Sequence, residues 1–268
     1  MTKTSVATSP RPGKKLPLTD KPLRLPGQSV DEHINSVIYD KQISPFVLFL
    51  ICLSASVVEI LFWILNTPRS TSAILMSGYA ACTLLYAVRS WRQSRSHVEA
   101  LKLGRDGERA VAEVLQAQVQ KGNAVFHDVV GPNFNLDHVV VAPQGVYVIE
   151  TKTISKPIGS GHDVSFDGDV ILVDGRPMDR DPVEQSLAEI RWLRDLLRKS
   201  TGSDIPVRGI VVFPGWYVKS DHSNYERKVW VMNPKNIDGF IAAGHSILPV
   251  EMVHMVAFHL SRFIRTTE

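Results

Sequence analysis

The 268 residues carry 30 Lys and Arg against 27 Asp and Glu, for a formal net charge of +3, and 44% of them are hydrophobic. A mean hydropathy of −0.01 is that of a folded protein, and so small a basic excess does not by itself point to nucleic acid. Two cysteines, Cys52 and Cys82, exclude a disulfide framework and a CxxC metal site.

Residues 1–44 contain Pro10, Pro12, Pro17, Pro22 and Pro26 among Ser, Thr and Lys, with little apolar periodicity, and are expected to form a basic, Pro-rich disordered tail. Its end, about 30–41, is expected to become locally ordered. Two apolar runs follow, 45–65 and 71–88, each long enough to span about 30 Å of hydrocarbon. Joined by residues 66–70, they predict a transmembrane hairpin over 45–88; a cleaved signal peptide fits poorly behind forty preceding residues.

Lys41 before the first run, and Arg89, Arg92, Arg95, Lys102 and Arg105 after the second, predict that both termini are cytoplasmic. The chain then reads as a multi-pass protein of the inner (cytoplasmic) membrane, with the lipid bilayer as one partner and the basic segment able to meet anionic headgroups. Glu59 lies roughly 6 Å from the midpoint of its run, where a carboxyl needs a partner. A hairpin symmetric about its turn brings Ser77 to the same depth, and a contact across a homo-oligomer formed through the hairpin is the other reading. Both cysteines fall in the runs and read as small buried thiols.

Residues 89–103 read as a helical stalk, and 104–268 as a cytoplasmic domain. The spacing of Leu103, Val111, Val114, Leu115 and Val119 predicts an amphipathic helix over 104–120. Strands follow at 124–130, 136–142 and 146–153, then a hairpin over 163–173 turning at Asp167 and Gly168. Asp181, Pro182 and Glu184 open a helix to about Lys199 with the stripe Leu187, Ile190, Leu193 and Leu197. A strand at 207–213, a shorter one at 229–232 and a closing helix at 250–264 complete an α/β order, αβββαβ with additions.

The stretch NLDHVVVAPQGVYVIETKT, 135–153, turns at Pro143 and Gln144, which pairs residues whose numbers sum to 287. Asp137 then faces Glu150, with Val139 opposite Val148, and Lys152 lies two residues on, on the same face. An isolated E-T-K is most often a solvated ion pair. Here His138, Val140, Tyr147 and Ile149 cover the other face, and two carboxylates side by side in a covered sheet repel each other unless a cation lies between them. Hard oxygen ligands without a Cys or His cluster favour Mg²⁺, or Mn²⁺, over zinc. Glu108 falls on the helix stripe that faces the sheet, by its spacing to Val111 and Leu115; an exposed acid at a helix start is the competing reading.

Other chemistries find little support. His254 and His259 are five apart, and neither a phosphate-binding glycine loop nor a G-x-S-x-G elbow is present. Arg191, Arg194 and Arg198 form a helical stripe that reads as a solvated face, given Glu184 and Asp195 beside it.

The runs GRDGERAVAEVL, LDHVVVAPQGVYVIETKT and DPVEQ together resemble the nuclease-related domain (NERD), a branch of the PD-(D/E)xK restriction-endonuclease-like superfamily, over residues 104–213. The resemblance implies a restriction-endonuclease-like mixed sheet flanked by helices, here preceded by two transmembrane helices. It matches Asp137, Glu150 and Lys152 to the superfamily's active-site motif, and Glu108 and Gln185 to polar positions of this branch, although Gln185 falls away from the Leu187 stripe. The expected activity is hydrolysis of DNA or RNA phosphodiesters with one or two Mg²⁺ (or Mn²⁺) ions held by Asp137, Glu150 and the Thr151 carbonyl. The alternatives are a catalytically inactive nucleic-acid or protein binding module on a membrane anchor, and a structural membrane protein assembled through its hairpin.

Overall fold

A computed structural model describes residues 21–65, 70–159, 161–220 and 228–266. Residues 1–20 of the expected tail and residues 66–69 of the expected turn lie outside the described residues.

Two long helical segments dominate the N-terminal part. Helix α1 (Gln28–Ile38) passes through a π-turn at Tyr39–Ile43 into α2 (Ser44–Ile64). The cause of the π-turn is local: Pro45 has no N–H, so the Lys41 carbonyl four residues earlier lacks its α-helical donor. Ser90 of the facing helix donates its hydroxyl to that carbonyl at 2.7 Å instead.

Helix α3 (Ser70–Gln120) is 51 residues long, about 75 Å at 1.5 Å per residue. It carries the second apolar run, the expected stalk and the helix expected at 104–120 without a break. Leu103 and Val119 of the expected stripe are exposed. The buried face is Gly107, Glu108, Val111, Ala112, Leu115 and Gln118.

Helices α2 and α3 are long and apolar enough to cross a membrane, and only 11% and 22% of their most apolar stretches are buried. A helix from a soluble core would be mostly covered, whereas these leave Leu50, Ile51, Ile64, Ile74, Leu75 and Leu85 more than half exposed. Small residues on α3, Ala73, Ala80, Thr83 and Ala87, are buried and let the two helices pack closely.

The depth pairing differs from a hairpin symmetric about its turn. Ser72 donates to Glu59 Oε2 at 2.7 Å, while Ser77 shares a 2.8 Å hydrogen bond with Ser56. Cys52 is buried but Cys82 lies on the outer face. Glu59→Leu removes the Ser72 bond and should destabilise the full chain in detergent by an amount on the order of 1 kcal/mol, read as a lower melting temperature, with membrane insertion retained. Glu59→Gln, which still accepts from Ser72, should restore it; equal melting of Glu59→Leu and wild type would rule out the packing role.

The domain that follows is mixed α/β. Its central sheet has the order β1-β2-β3-β7-β9, from β1 (Ala124–Val130), β2 (Asn135–Ala142), β3 (Gly145–Thr151), β7 (Val207–Val212) and β9 (Val229–Met232). The first three strands form an antiparallel meander, and β7 and β9 run parallel to β3. The β2–β3 register, Val139 with Val148 and Val141 with Val146, is the one that the Pro143–Gln144 turn predicts.

Helices lie on both faces because both faces are apolar. On one, Val111 and Leu115 of α3 and Ile237 and Ile241 of α5 (Ile237–Ala243) meet Val140, Tyr147 and Ile149. On the other, α4 (Pro182–Thr201) and α6 (Val250–Thr266) bring Ile190, Leu193, Leu197, Val256 and Leu260 against Val139, Val141, Val146 and Val148.

A small second sheet, β6-β5-β4-β8, closes one side, from β4 (Asp163–Phe166), β5 (Ile171–Val173), β6 (Arg176–Pro177) and β8 (Tyr217–Ser220). The hairpin at 163–173 exists, but Phe166 pairs with Ile171, so its loop has four residues instead of a two-residue turn. Asp167 organises that loop by accepting from the N–H groups of Asp169 and Val170, both at 2.9 Å.

Candidate active site

Four elements converge where β2 begins and β3 ends. Asp137 opens β2, and Glu150 and Thr151 close β3, with Lys152 just beyond; strand alternation puts Asp137, Glu150 and Lys152 on the α4 face. Helix α4 starts at the same end, because Asp181 caps it by accepting from the Val183 N–H at 2.8 Å and Pro182 occupies its first turn. Its first two turns deliver Gln185 and Glu189. Helix α3 brings Glu108 from the opposite layer.

Two glycines allow these approaches. A Cβ on Gly107 would lie 1.6 Å from Thr153 Oγ1, so only glycine lets α3 pass this close to the strand end. A Cβ on Gly209 of β7 would meet Ser186 Oγ at 2.2 Å, which fixes how near α4 comes to the sheet. Gly107→Ala should therefore push α3 outward and cost about 1–3 kcal/mol, read as a lower midpoint in thermal denaturation of the full chain. An unchanged midpoint would mean that Thr153 turns aside without cost.

The polar contacts form one network. Lys152 Nζ donates to Glu150 Oε1 at 2.6 Å and to Gln185 Oε1 at 2.9 Å. The Gln185 amide donates to Glu150 Oε1 at 2.8 Å and to Glu189 Oε1 at 2.9 Å. The Thr151 N–H donates to Asp137 Oδ2 at 2.7 Å. Glu150 Oε2 and Glu189 Oε2 are buried with no hydrogen-bond partner among the described residues.

Four carboxylates thus share a pocket with one lysine, and their proton affinities follow. Burial raises Asp137 well above the ordinary aspartate range, with Glu150 and Glu108 adding to the effect and the Thr151 N–H opposing it. Burial, then Asp128 and Glu150, push Glu108 up to about 7, against a hydrogen bond from the Gly27 backbone and the charge of Arg109. Burial and Glu150 push Glu189 up to about 9, so it keeps its proton at neutral pH.

The structure brings Asp137, Glu150, Thr151, Lys152, Gln185 and Glu108 together. Glu108 is not an acid at a helix start, since α3 begins at Ser70 and Glu108 is 8% exposed. Gln185 belongs to the network, although a stripe through Leu187 places it on another face. The buried stripe of α4 is Ser186, Glu189, Ile190, Leu193 and Leu197, which Gln185 borders, and Leu187 is only partly covered. Glu189 was legible as a carboxylate four residues before Leu193 in that stripe, but a stripe read through Leu187 conceals it.

Asp128 was also missed. It is 2% exposed, adopts a φ of 51°, and accepts from the Ser29 N–H at 2.9 Å, the Ser29 hydroxyl and Arg24 Nε at 2.6 Å. Gly27, the N-cap of α1, offers no side chain, so Asp128 caps that helix from another element. Arg105 and Arg109 hold Asp31 of α1 at 3.1 and 2.5 Å. The end of the expected tail is thereby fastened to the domain beside Glu108. The Arg191, Arg194 and Arg198 side of α4 is exposed, and Arg194 pairs with Asp204.

Among the described residues no three His, Cys, Asp or Glu side chains are arranged as a ready metal cage. The donor set nevertheless fits a hard divalent ion. Glu150 presents a buried, unpartnered oxygen, Asp137 beside it is held by one N–H, and carboxyl groups outnumber the one lysine.

Residues 103–214 match the family model of the nuclease-related domain. The match spans α3 from the domain entrance to the strand after α4, and so includes every residue of the network. No curated protein and no solved structure matches the chain.

Proposed function

We propose that this nuclease-related domain hydrolyses phosphodiester bonds of DNA or RNA with Mg²⁺ or Mn²⁺, from a position fixed at the cytoplasmic face of a membrane by the α2–α3 hairpin. One observation carries the reading: Asp137, the buried Glu150 and the partly exposed Lys152 meet at a strand end inside the segment that matches the family, with more carboxyl groups than one lysine can pair.

Asp137, Glu150 and the Thr151 carbonyl are the residues that would hold the ion. When bound, a divalent ion lowers the pKa of an attacking water and stabilises charge on the phosphate. The protein's own contribution is positional. Thr151 N–H fixes the Asp137 carboxylate, and Gln185 ties Glu150 and Lys152 together through both ends of its amide. Lys152 supplies the positive charge for a phosphate oxygen or orients the water. Protonated Glu189 limits the repulsion on Glu150 and has a proton to share with it.

Arg89, Arg92 and Arg95 at the end of the apolar stretch of α3 support a cytoplasmic domain, and α2 and α3 return the chain to the side it left. The test is incubation of the detergent-purified full chain with single- and double-stranded DNA and RNA, with and without Mg²⁺ or Mn²⁺. Metal-dependent cleavage that stops with a chelator is expected. Salt-sensitive binding without cleavage would favour the inactive binding module.

A further inference from the structure

Outside the carboxylate site, an unfilled feature lies at the open end of the helical hairpin, between the apolar runs and the domain. A groove of about 560 Å³ opens between the π-turn and α3, lined by Val37, Lys41, Tyr86, Arg89, Gln93 and His97, with Ser90 and Ser94 as its floor. We propose that this groove binds the headgroup of one anionic phospholipid, its phosphate between Lys41 and Arg89 and its acyl chains along the apolar surface of α2 and α3. The inference rests on the hairpin crossing a bilayer and not on the nuclease reading.

Charge is the first argument. Lys41 and Arg89 are exposed, and neither side chain has a hydrogen bond or ion pair among the described residues. No carboxylate lines the groove, and Asp40 beside it accepts from Ser36. The Gln93 amide and Tyr86 hydroxyl add neutral donors, so an anion with several acceptor oxygens meets two cations and two further donors.

Shape is the second. The π-turn displaces the Lys41 backbone toward Ser90, and Gln42 donates to Ser94 at 3.2 Å, which holds the two walls at fixed separation. The groove is part of the helix pairing, not a chance arrangement of long side chains. Depth is the third. Tyr86 and Arg89 mark the end of the apolar run, and Leu85 and Val88 beside them, with Val47 and Leu48 on α2, are exposed. A soluble anion makes no use of that adjoining apolar surface, whereas a phospholipid does.

The experiment is native mass spectrometry of the full chain in detergent, titrated separately with phosphatidylglycerol, phosphatidylcholine and inorganic phosphate. Wild type should retain one phosphatidylglycerol in preference to phosphatidylcholine, without displacement by millimolar phosphate. Lys41→Gln/Arg89→Gln should weaken that binding about thirtyfold, for two basic groups near the surface. Arg92→Gln/Arg95→Gln, with the same charge change outside the groove, should leave it within about twofold. Lys41→Arg/Arg89→Lys should keep it, which separates loss of the site from misfolding. Equal retention of both lipids, equal weakening by both Gln pairs, or displacement by phosphate would each overturn the site. A wild-type chain that retains neither lipid and does not fractionate with membranes would overturn the hairpin reading as well.

Discussion

Raising the pH from 7 to 9 without divalent metal should lower the folding stability of the full chain, and Mg²⁺ or Mn²⁺ should restore it. A carboxylate whose folded pKa is raised binds more protons in the folded than in the unfolded state, so its stabilisation is complete below the unfolded value and is lost as pH rises through the folded one. For Glu189 that window runs from the ordinary glutamate value, 4.5, to about 9, and Asp137 is raised in the same sense. Glu108, pushed up to about 7, has completed most of its change by the start of the range.

His127 and His138 are lowered below the ordinary 6.5, so they favour the folded state as pH rises, but they are neutral in both states above about 7 and do not mask the effect. The expected fall is on the order of 2 kcal/mol between pH 7 and 9, a few degrees in midpoint. A metal that binds only the deprotonated, folded site adds about 2.7 kcal/mol at a hundredfold excess over its Kd. Glu189→Gln, uncharged throughout and still able to accept from Gln185, should flatten the pH dependence. A midpoint constant from pH 7 to 9 and indifferent to both metals would contradict the repulsion described.

The second large effect separates the roles of neighbouring residues. Lys152→Ala should lower metal-dependent cleavage about 10²- to 10³-fold, the scale of removing one well-placed charge partner of a transition state, while metal binding is retained. Asp137→Asn should lose both, because the defect lies in holding the ion. Mn²⁺ titration followed by electron paramagnetic resonance reads binding independently of turnover. If Lys152→Ala abolished Mn²⁺ binding, the lysine would be maintaining the ligands and not acting on the phosphate.

How much of this was legible in the sequence depended on whether the information was local. The β2–β3 register follows from one turn and the alternation of valines, and both proved sufficient. The α4 cap is spelled out by Asp181 and Pro182. By contrast, α1 carries a short apolar stripe, Val30, Ile34, Val37 and Ile38, yet buries only Ile34 fully. It is held by Asp128, about a hundred residues away in sequence, and by Arg105 and Arg109. Nothing within residues 28–38 announces those partners.

Glu189 and Gln185 were misjudged for a related reason. Helical spacing gives a stripe, but its rotation against the sheet is set by what the sheet offers. Gly209 offers a recess that Ser186 fills, and this turns the helix enough to bring Gln185 to the site. In the apolar helical hairpin, symmetry about an assumed turn pairs Glu59 with Ser77, whereas the serine and alanine positions that let the helices close set the pairing with Ser72. The ordered α1 also bears on experiments: because Ser29 and Arg24 fill the Asp128 site beside Glu108, the full chain is the proper object for them.

The most direct measurement is nucleic-acid cleavage by the purified full chain in Mn²⁺, run beside Glu150→Gln prepared identically and shown to have the same circular dichroism. The account predicts cleavage by wild type that requires the metal, and a loss of about 10³-fold or more in Glu150→Gln. Equal cleavage by the two proteins, or a wild type inert towards every DNA and RNA tested in either metal, would contradict it.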